Sequence, residues 1–331
     1  MEVSGLIFSH ITGTGAYLPK KVLTNLDIAK MVDTSDEWIR ERSGIRERRI
    51  ADEKEAASDL ALTASREALK SAGLKPADLD LLIVATVTPD MPLPSTACFL
   101  QGKLGAKNAA AFDINAACSG FIYALSVADA YIRAKTFKRV LVVGAEILSR
   151  ITDWTDRSTC VLLGDGAGAM VLEAGRSRHG IISTKINADG SKWNLLYVPA
   201  GGSKNPATAK TVDKRMHFLK MRGNETFKIA VRTLEKMVVE MLEENGIKPA
   251  DLSLLIPHQA NRRIISATAK RLGIGMDRVM LNLDRYGNTS AASIPIALDE
   301  AVRTGRINKG DYVLLEAFGG GITWASALIR W

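Results

Sequence analysis

The feature that most constrains this 331-residue chain is that it repeats itself. Residues 72–83, AGLKPADLDLLI, return as residues 245–256, NGIKPADLSLLI, at an offset of 173. Each copy follows an amphipathic helical stretch (Ser58 to Ser71; Phe227 to Glu244), turns at a glycine with proline just beyond, and leads into an apolar strand. At the same offset Val140 to Val143 matches Val313 to Glu316, and Lys103-Leu104-Gly105 loosely resembles Arg271-Leu272-Gly273, near that spacing. The string KPADL alone could recur by chance, but the shared helix, turn and strand around it favour duplication. Two βαβ-rich halves, 1–178 and 179–331, imply an α/β fold. Its two mostly parallel sheets would have helices between and outside them, with strand ends meeting at one site.

Within the first half, residues 109–134 (AAAFDINAACSGFIYALSVADAYIRA) switch from strand to helix around Cys118. Ala109 to Ile114 is short and apolar, whereas Phe121, Leu125, Ala128 and Ile132 recur at helical spacing. A cysteine at a helix start meets unpaired N–H groups and the positive end of the helix dipole, which favour a nucleophilic thiolate. An isolated cysteine is as readily a buried structural residue, and this stretch alone leaves both readings open. In the second half His258, in LLIPHQAN, lies just past the strand Leu252 to Ile256, at the strand end where α/β folds place ligands. Asn288, in YGNTSAAS, stands opposite Cys118 in the duplication, or is a turn residue beside Gly287. His10, His179 and His217 sit in polar or terminal settings and read as surface or hydrogen-bonded residues. Small residues in both central segments (Ala116, Gly120 and Ala124; Ala291, Ser293 and Ala297) let the two helices approach closely.

Cys, His and Asn together occur in papain-like proteases, but the local signature around that family's cysteine is absent here. A different use of the trio is acyl transfer with carbon–carbon bond formation, in which Cys takes an acyl group and His and Asn stabilise an enolate oxygen. GDGAGA at 164–169 leads into a strand-like run instead of a helix, so it fails the dinucleotide context and reads as a tight turn between strands. Gly319 to Gly321 either lets the backbone approach a substrate and complete an oxyanion hole with the Cys118 N–H, or forms a bulge or hairpin turn.

Composition narrows the partners. No apolar run reaches the ~18 residues of a membrane span, and the N-terminus lacks a basic, hydrophobic leader, so neither a membrane nor a secretory address is expected. Cys98, Cys118 and Cys160 have no paired spacing, which argues against a disulfide framework or a metal site and fits a reducing cytoplasm. The net charge of +8 calls for an anionic partner. Nucleic-acid signatures are missing and basic residues alternate with acids, as in RERSGIRERR, so an acidic protein or a phosphorylated cofactor is the better match.

DINAACSGF, GDGAGA, PHQAN, YGNTSAAS and LLEAFGGGITWASAL, in this order, closely resemble the β-ketoacyl-acyl-carrier-protein synthase III family of thiolase-like condensing enzymes. The match runs from TSDEWI at Thr34 to the C-terminus. The resemblance implies a five-layer αβαβα fold, a cytoplasmic homodimer, and the initiating condensation of type II fatty acid synthesis. It implies acyl-CoA and malonyl-acyl-carrier protein as substrates, with no metal or redox cofactor. By it, Cys118, His258 and Asn288 form the catalytic triad, Gly320 shares the oxyanion hole, and Phe318 stands beside the cysteine. Trp38 and Arg157 would sandwich adenine, with Thr34, Arg42 and Asn224 as further CoA contacts, and Arg263, Lys270 and Arg271 would dock the acidic carrier protein. Leu93 stands where many relatives have a Phe that reaches across the dimer into the acyl pocket, which leaves room for a longer or branched primer. A synthase III-like enzyme of secondary metabolism with another primer is the alternative, and a non-catalytic carrier- or CoA-binding protein is the reading from outside catalysis.

Overall fold

The computed structural model describes residues 6–331. In chain order the strands are β1 (Phe8–Tyr17), β2 (Lys21–Thr24), β3 (Glu47–Ile50), β4 (Leu81–Ala85), β5 (Ala110–Ile114), β6 (Arg139–Ile147) and β7 (Asp165–Gly175). They continue with β8 (Gly180–Ala188), β9 (Leu196–Tyr197), β10 (Lys220–Met221), β11 (Leu252–Pro257), β12 (Tyr312–Gly319) and β13 (Thr323–Arg330). The helices are α1 (Asn25–Ala29), α2 (Asp36–Ser43), α3 (Ala57–Ala72), α4 (Thr96–Leu104), α5 (Gly120–Arg133) and α6 (Arg157–Cys160). After them come α7 (Ala209–Asp213), α8 (Gly223–Glu244), α9 (Arg262–Leu272), α10 (Leu283–Tyr286) and α11 (Ser293–Arg303).

Both repeated KPADL strings do the same local work. Gly73 and Gly246 take positive φ at the end of α3 and α8, a single 3-10 turn follows at Pro76–Asp78 and Pro249–Asp251, and the chain enters β4 and β11. One sheet has the order β1-β7-β6-β4-β5 and the other β11-β12-β13-β8. Side chains alternate across each strand. Leu81, Ile83 and Ala85 face inward onto α5, while Leu82 and Val84 face outward onto α3 and α4. In the second sheet Val313, Leu315 and Ala317 join the same inner layer, whereas Leu314 packs outward with residues of α8 and α9. The stack is therefore helix, sheet, the central pair α5 and α11, sheet, helix: the expected five-layer αβαβα arrangement.

Two expectations change. The sheets are mixed instead of mostly parallel: β4 runs parallel to β5 and β6, but β7 is antiparallel to β1 and β6, and β13 is antiparallel to β12 and β8. Nor is GDGAGA a turn between strands: Asp165–Ala169 form the first half of the long strand β7, which pairs antiparallel with β1 and β6. Its small residues make room for the central layer, since a Cβ on Gly168 would lie 2.7 Å from the Ile296 nitrogen of α11. Gly144 of β6 is tighter still, with its missing Cβ 2.3 Å from the carbonyl oxygen of Ala291. The start of α11 thus lies against bare backbone, and its leading turn is fixed at the middle of the molecule.

Candidate active site

Ala117 enters the turn before α5 at φ 48°, and Ser290 enters the turn before α11 at φ 48°. The two strained residues lie 173 positions apart, so the duplication extends to a backbone conformation that L-residues seldom adopt. The same spacing pairs Asn115 with Asn288 and Cys118 with Ala291, which corrects the expectation that Asn288 is the counterpart of Cys118. Each strained residue begins a single 3-10 turn, Ala117–Ser119 or Ser290–Ala292, which runs straight into α5 or α11.

Cys118 is only 9% exposed. Gly319 packs against its turn so closely that a Cβ there would lie 2.7 Å from the Cys118 nitrogen. Gly319 ends β12 and Gly320 and Gly321 enter the hairpin turn into β13, so the hairpin reading of GGG holds, and the close backbone approach that Gly319 makes is to the Cys118 turn. The hairpin and the cysteine turn are tied by the Thr323 hydroxyl donating to Ala116 O at 2.8 Å and the Ser119 hydroxyl donating to Thr323 O at 3.1 Å.

Burial reverses the expected state of the sulfur. Loss of water pushes the Cys118 thiol up to about 12, and the hydroxyl of Ser290 only partly opposes that rise. The same desolvation pulls His258 down to about 3. The resting pair is a neutral thiol and a neutral imidazole instead of a thiolate at a helix start. His258 is held by its backbone N–H donating to Glu316 O at 2.7 Å and by a 2.7 Å contact between Nδ1 and the Ser293 hydroxyl. Asn288 is pinned through its backbone to Leu162 and Gly164, and its Oδ1 accepts the Ser290 N–H at 2.8 Å.

Two cavity lobes of about 450 Å³ each meet at Cys118 and Asn288. One lobe holds His258, Phe318 and Glu316, and opens past Trp38, Arg42, Asn224 and Arg263. The other is mainly apolar, lined by Val87, Leu148, Ile151, Leu162, Leu219 and Tyr197 among others, with Gly320 at its edge. Cys118, His258, Asn288, Gly320, Phe318, Trp38, Arg42, Asn224 and Arg263 are therefore brought to one continuous site. Five expected residues lie outside its lining: Thr34, Leu93, Arg157, Lys270 and Arg271. Leu93 is 83% exposed on its own chain. Lys270 and Arg271 are exposed in the last turn of α9, roughly 12 Å along the helix from Arg263. The Arg157 guanidinium lies 4.9 Å from the Trp38 ring centroid. A base touching both faces needs ~7 Å between them, so Arg157 has to swing aside before anything can stack there.

Sequence reasoning missed Ser293, Glu316 and Glu146. Glu316 and Glu146 are fully buried, and desolvation pushes their carboxyls up to about 8 and about 7. Glu146 is satisfied by the Thr88 hydroxyl at 2.6 Å and the Val87 N–H at 3.1 Å, whereas neither oxygen of Glu316 has a hydrogen-bond partner among the described residues. Each is flanked by apolar strand residues, and only its burial beside the cavity marks it out. Among the described residues no three His, Cys, Asp or Glu side chains group as a metal site, and no helix is long and apolar enough to cross a membrane.

A family model described as 3-oxoacyl-[acyl-carrier-protein (ACP)] synthase III matches residues 112–190, and its C-terminal counterpart matches 242–331. The beta-ketoacyl-[acyl-carrier-protein] synthase III of Caldanaerobacter subterraneus subsp. tengcongensis is 57% identical over 98% of both chains. The crystal structure of 3-oxoacyl-[acyl-carrier-protein] synthase III from Aquifex aeolicus VF5 superposes with a TM-score of 0.91 at 51% identity, covering 98% of this chain and 100% of that one. The priming β-ketosynthase of the R1128 polyketide biosynthetic pathway gives a TM-score of 0.91 at 35% identity, covering 100% of this chain and 98% of that one.

Proposed function

The chain belongs to the 3-oxoacyl-[acyl-carrier-protein] synthase III family, and from that premise we propose that it joins an acyl group from acyl-CoA to malonyl-acyl-carrier protein, opening type II fatty acid synthesis. The observation that carries this reading is the meeting of Cys118, His258 and Asn288 in one cavity that opens past Trp38, Arg42 and Asn224. In the first half-reaction the Cys118 sulfur adds to the thioester carbonyl, the carbon–sulfur bond to CoA breaks, and CoA leaves with the thiol proton. The N–H groups of Cys118 and Gly320 receive the oxygen that becomes negative. In the second, the malonyl carbon–carboxylate bond breaks and carbon dioxide departs. The electron pair becomes an enolate whose oxygen takes hydrogen bonds from His258 and Asn288. The enolate carbon then attacks the acyl-cysteine and the carbon–sulfur bond breaks, forming the 3-oxoacyl product and releasing the sulfur, which takes up a proton from solvent.

A neutral imidazole suits that task, because it donates a hydrogen bond to developing charge without acting as a competing acid. Phe318 closes the apolar side of the His258 lobe against water. Thioester exchange and decarboxylation need a nucleophile and hydrogen-bond donors alone, so we assign no metal or redox cofactor. We assign Trp38, Arg42, Asn224, Arg157 and Thr34 to CoA and Arg263, Lys270 and Arg271 to the acidic carrier protein. We also infer a cytoplasmic homodimer of chains divided at residues 178 and 179. The open edge of β5 and the exposed Met91 and Leu93 supply surface for a partner, and Leu93 would line the partner's acyl lobe. A primer-loading role in secondary metabolism is the second reading, supported by the likeness to the R1128 enzyme but at lower identity than the fatty acid relatives.

The test is intact mass after mixing with a panel of acyl-CoAs, followed by release of carbon dioxide from malonyl-carrier protein. Wild type gains one acyl group and Cys118→Ala none. His258→Ala and Asn288→Ala keep the acyl group and lose decarboxylation. Normal decarboxylation by His258→Ala would overturn its role, and a wild type that takes no acyl group would favour a non-catalytic binding protein.

A further inference from the structure

The neutral imidazole of His258 has two tautomers, and only the one with its proton on Nε2 can donate from that nitrogen while Nδ1 is occupied by the wall of the site. The network behind the ring decides between them. Gln259, the next residue, is fully committed: its Nε2 donates to Pro257 O at 2.8 Å and Met280 O at 3.1 Å, and its Oε1 accepts the N–H groups of Asn282 at 3.0 Å and Leu283 at 3.2 Å. That fixes the direction of the Gln259 backbone N–H, which donates to the Ser293 hydroxyl oxygen at 3.3 Å. Ser293 is 1% exposed, so its own hydroxyl proton must find a partner inside the protein. Among the described residues the one acceptor recorded within reach is His258 Nδ1, at 2.7 Å.

We propose that Ser293 is a positioning residue that donates its hydroxyl proton to His258 Nδ1 and so holds the imidazole as the Nε2–H tautomer that meets the enolate oxygen. The reverse assignment, Nδ1–H donating to Ser293, would leave the serine proton buried without an acceptor and put a lone pair at Nε2, facing a developing negative charge. The placement is specific to this half of the molecule. Ser293 is the first residue of α11, and its counterpart 173 positions earlier is Gly120, the first residue of α5, where a Cβ would meet Ala85 at 3.3 Å and no histidine needs orienting. The burial that keeps His258 neutral makes the choice of tautomer the relevant variable, because a charged ring would donate from both nitrogens.

This inference rests on the enolate-stabilising role proposed for His258, but its first test does not. In protein labelled with ¹⁵N at histidine, His258 Nδ1 should resonate as an unprotonated acceptor nitrogen and Nε2 as a protonated one; protonated Nδ1 in wild type overturns the proposal whatever the enzyme does. The second test is kinetic. Ser293→Ala should lower decarboxylation of malonyl-carrier protein at least tenfold more than acylation of Cys118, with the ring now sampling both tautomers. Ser293→Thr, which keeps the hydroxyl, should recover most of the loss. Equal loss of both half-reactions, or an unchanged tautomer in Ser293→Ala, would show that the serine only packs. If the tautomer follows Ser293 while His258→Ala decarboxylates normally, the catalytic reading fails and the structural assignment stands.

Discussion

Gly144→Ala places one methyl group where the two halves of the molecule touch. Gly144 sits in the middle of β6, and the added carbon would lie 2.3 Å from the carbonyl oxygen of Ala291 and 2.8 Å from its carbonyl carbon. Carbon and oxygen ordinarily approach to about 3.3 Å, so one backbone must retreat by roughly 1 Å. Neither has easy room: β6 is buried on both faces, and Ala291 belongs to the turn between Asn288 and Ser293. Overpacking of this kind costs about 3 kcal/mol, the upper end of the usual range, because no flexible side chain can yield. With unfolding entropy of about 2 cal/mol/K per residue, a chain this long loses ~4 °C in Tm for that cost. The control is Gly102→Ala, an exposed position inside α4 with nothing within 4 Å of its missing Cβ. There alanine removes a helix-weakening glycine, and Tm should rise by about 1 °C. Calorimetry on both variants, with acylation and decarboxylation measured on each, checks the argument. A Gly144→Ala protein that melts within about 1 °C of wild type and decarboxylates normally would show that the two halves do not press together as described.

Glu316→Gln tests the buried carboxyl. Because its folded pKa is raised to about 8 from the ordinary 4.5, the folded state holds a proton that the unfolded chain gives up. That contribution to stability is complete below pH ~4.5 and is lost as pH rises through about 8. The glutamine variant should therefore lose less stability than wild type between those pH values in urea titrations, and parallel curves would refute the assignment. Trp38→Ala should weaken acyl-CoA binding about tenfold by removing the flat face at the cavity mouth, read as KM in the acylation step. Lys270→Glu with Arg271→Glu should raise KM for the carrier protein several-fold in low salt and much less in high salt, with acylation by acyl-CoA little changed; a salt-independent effect would contradict docking by charge. Leu93→Phe should shift kcat/KM toward acetyl-CoA and away from branched four- and five-carbon primers, and a wild type already restricted to acetyl-CoA would remove the premise.

The repeated KPADL strings and their helix–turn–strand surroundings determined the two-sheet αβαβα plan, because helix caps and buried strands are local patterns that a linear sequence displays. The same logic brought Cys118, His258 and Asn288 forward as candidates near a strand end or the start of a central helix, with structural readings of Cys118 and Asn288 still open until the family resemblance grouped the three. Strand direction was not legible: GDGAGA carries turn residues, yet all of it after Gly164 lies inside β7, where Gly166 and Gly168 admit α11, a contact between segments about 130 residues apart. Nor could the sequence give the protonation of the site. Cys118 stands at a helix start, which lowers a thiol's pKa, but loss of water around the sulfur raises it further than the turn can lower it. Ser293 read as one more small packing residue in TSAAS until the fold set its hydroxyl 2.7 Å from His258 Nδ1. Local chemistry brought the candidate groups forward, and desolvation and distant neighbours, which exist only once the chain has closed on itself, decided what state those groups are in.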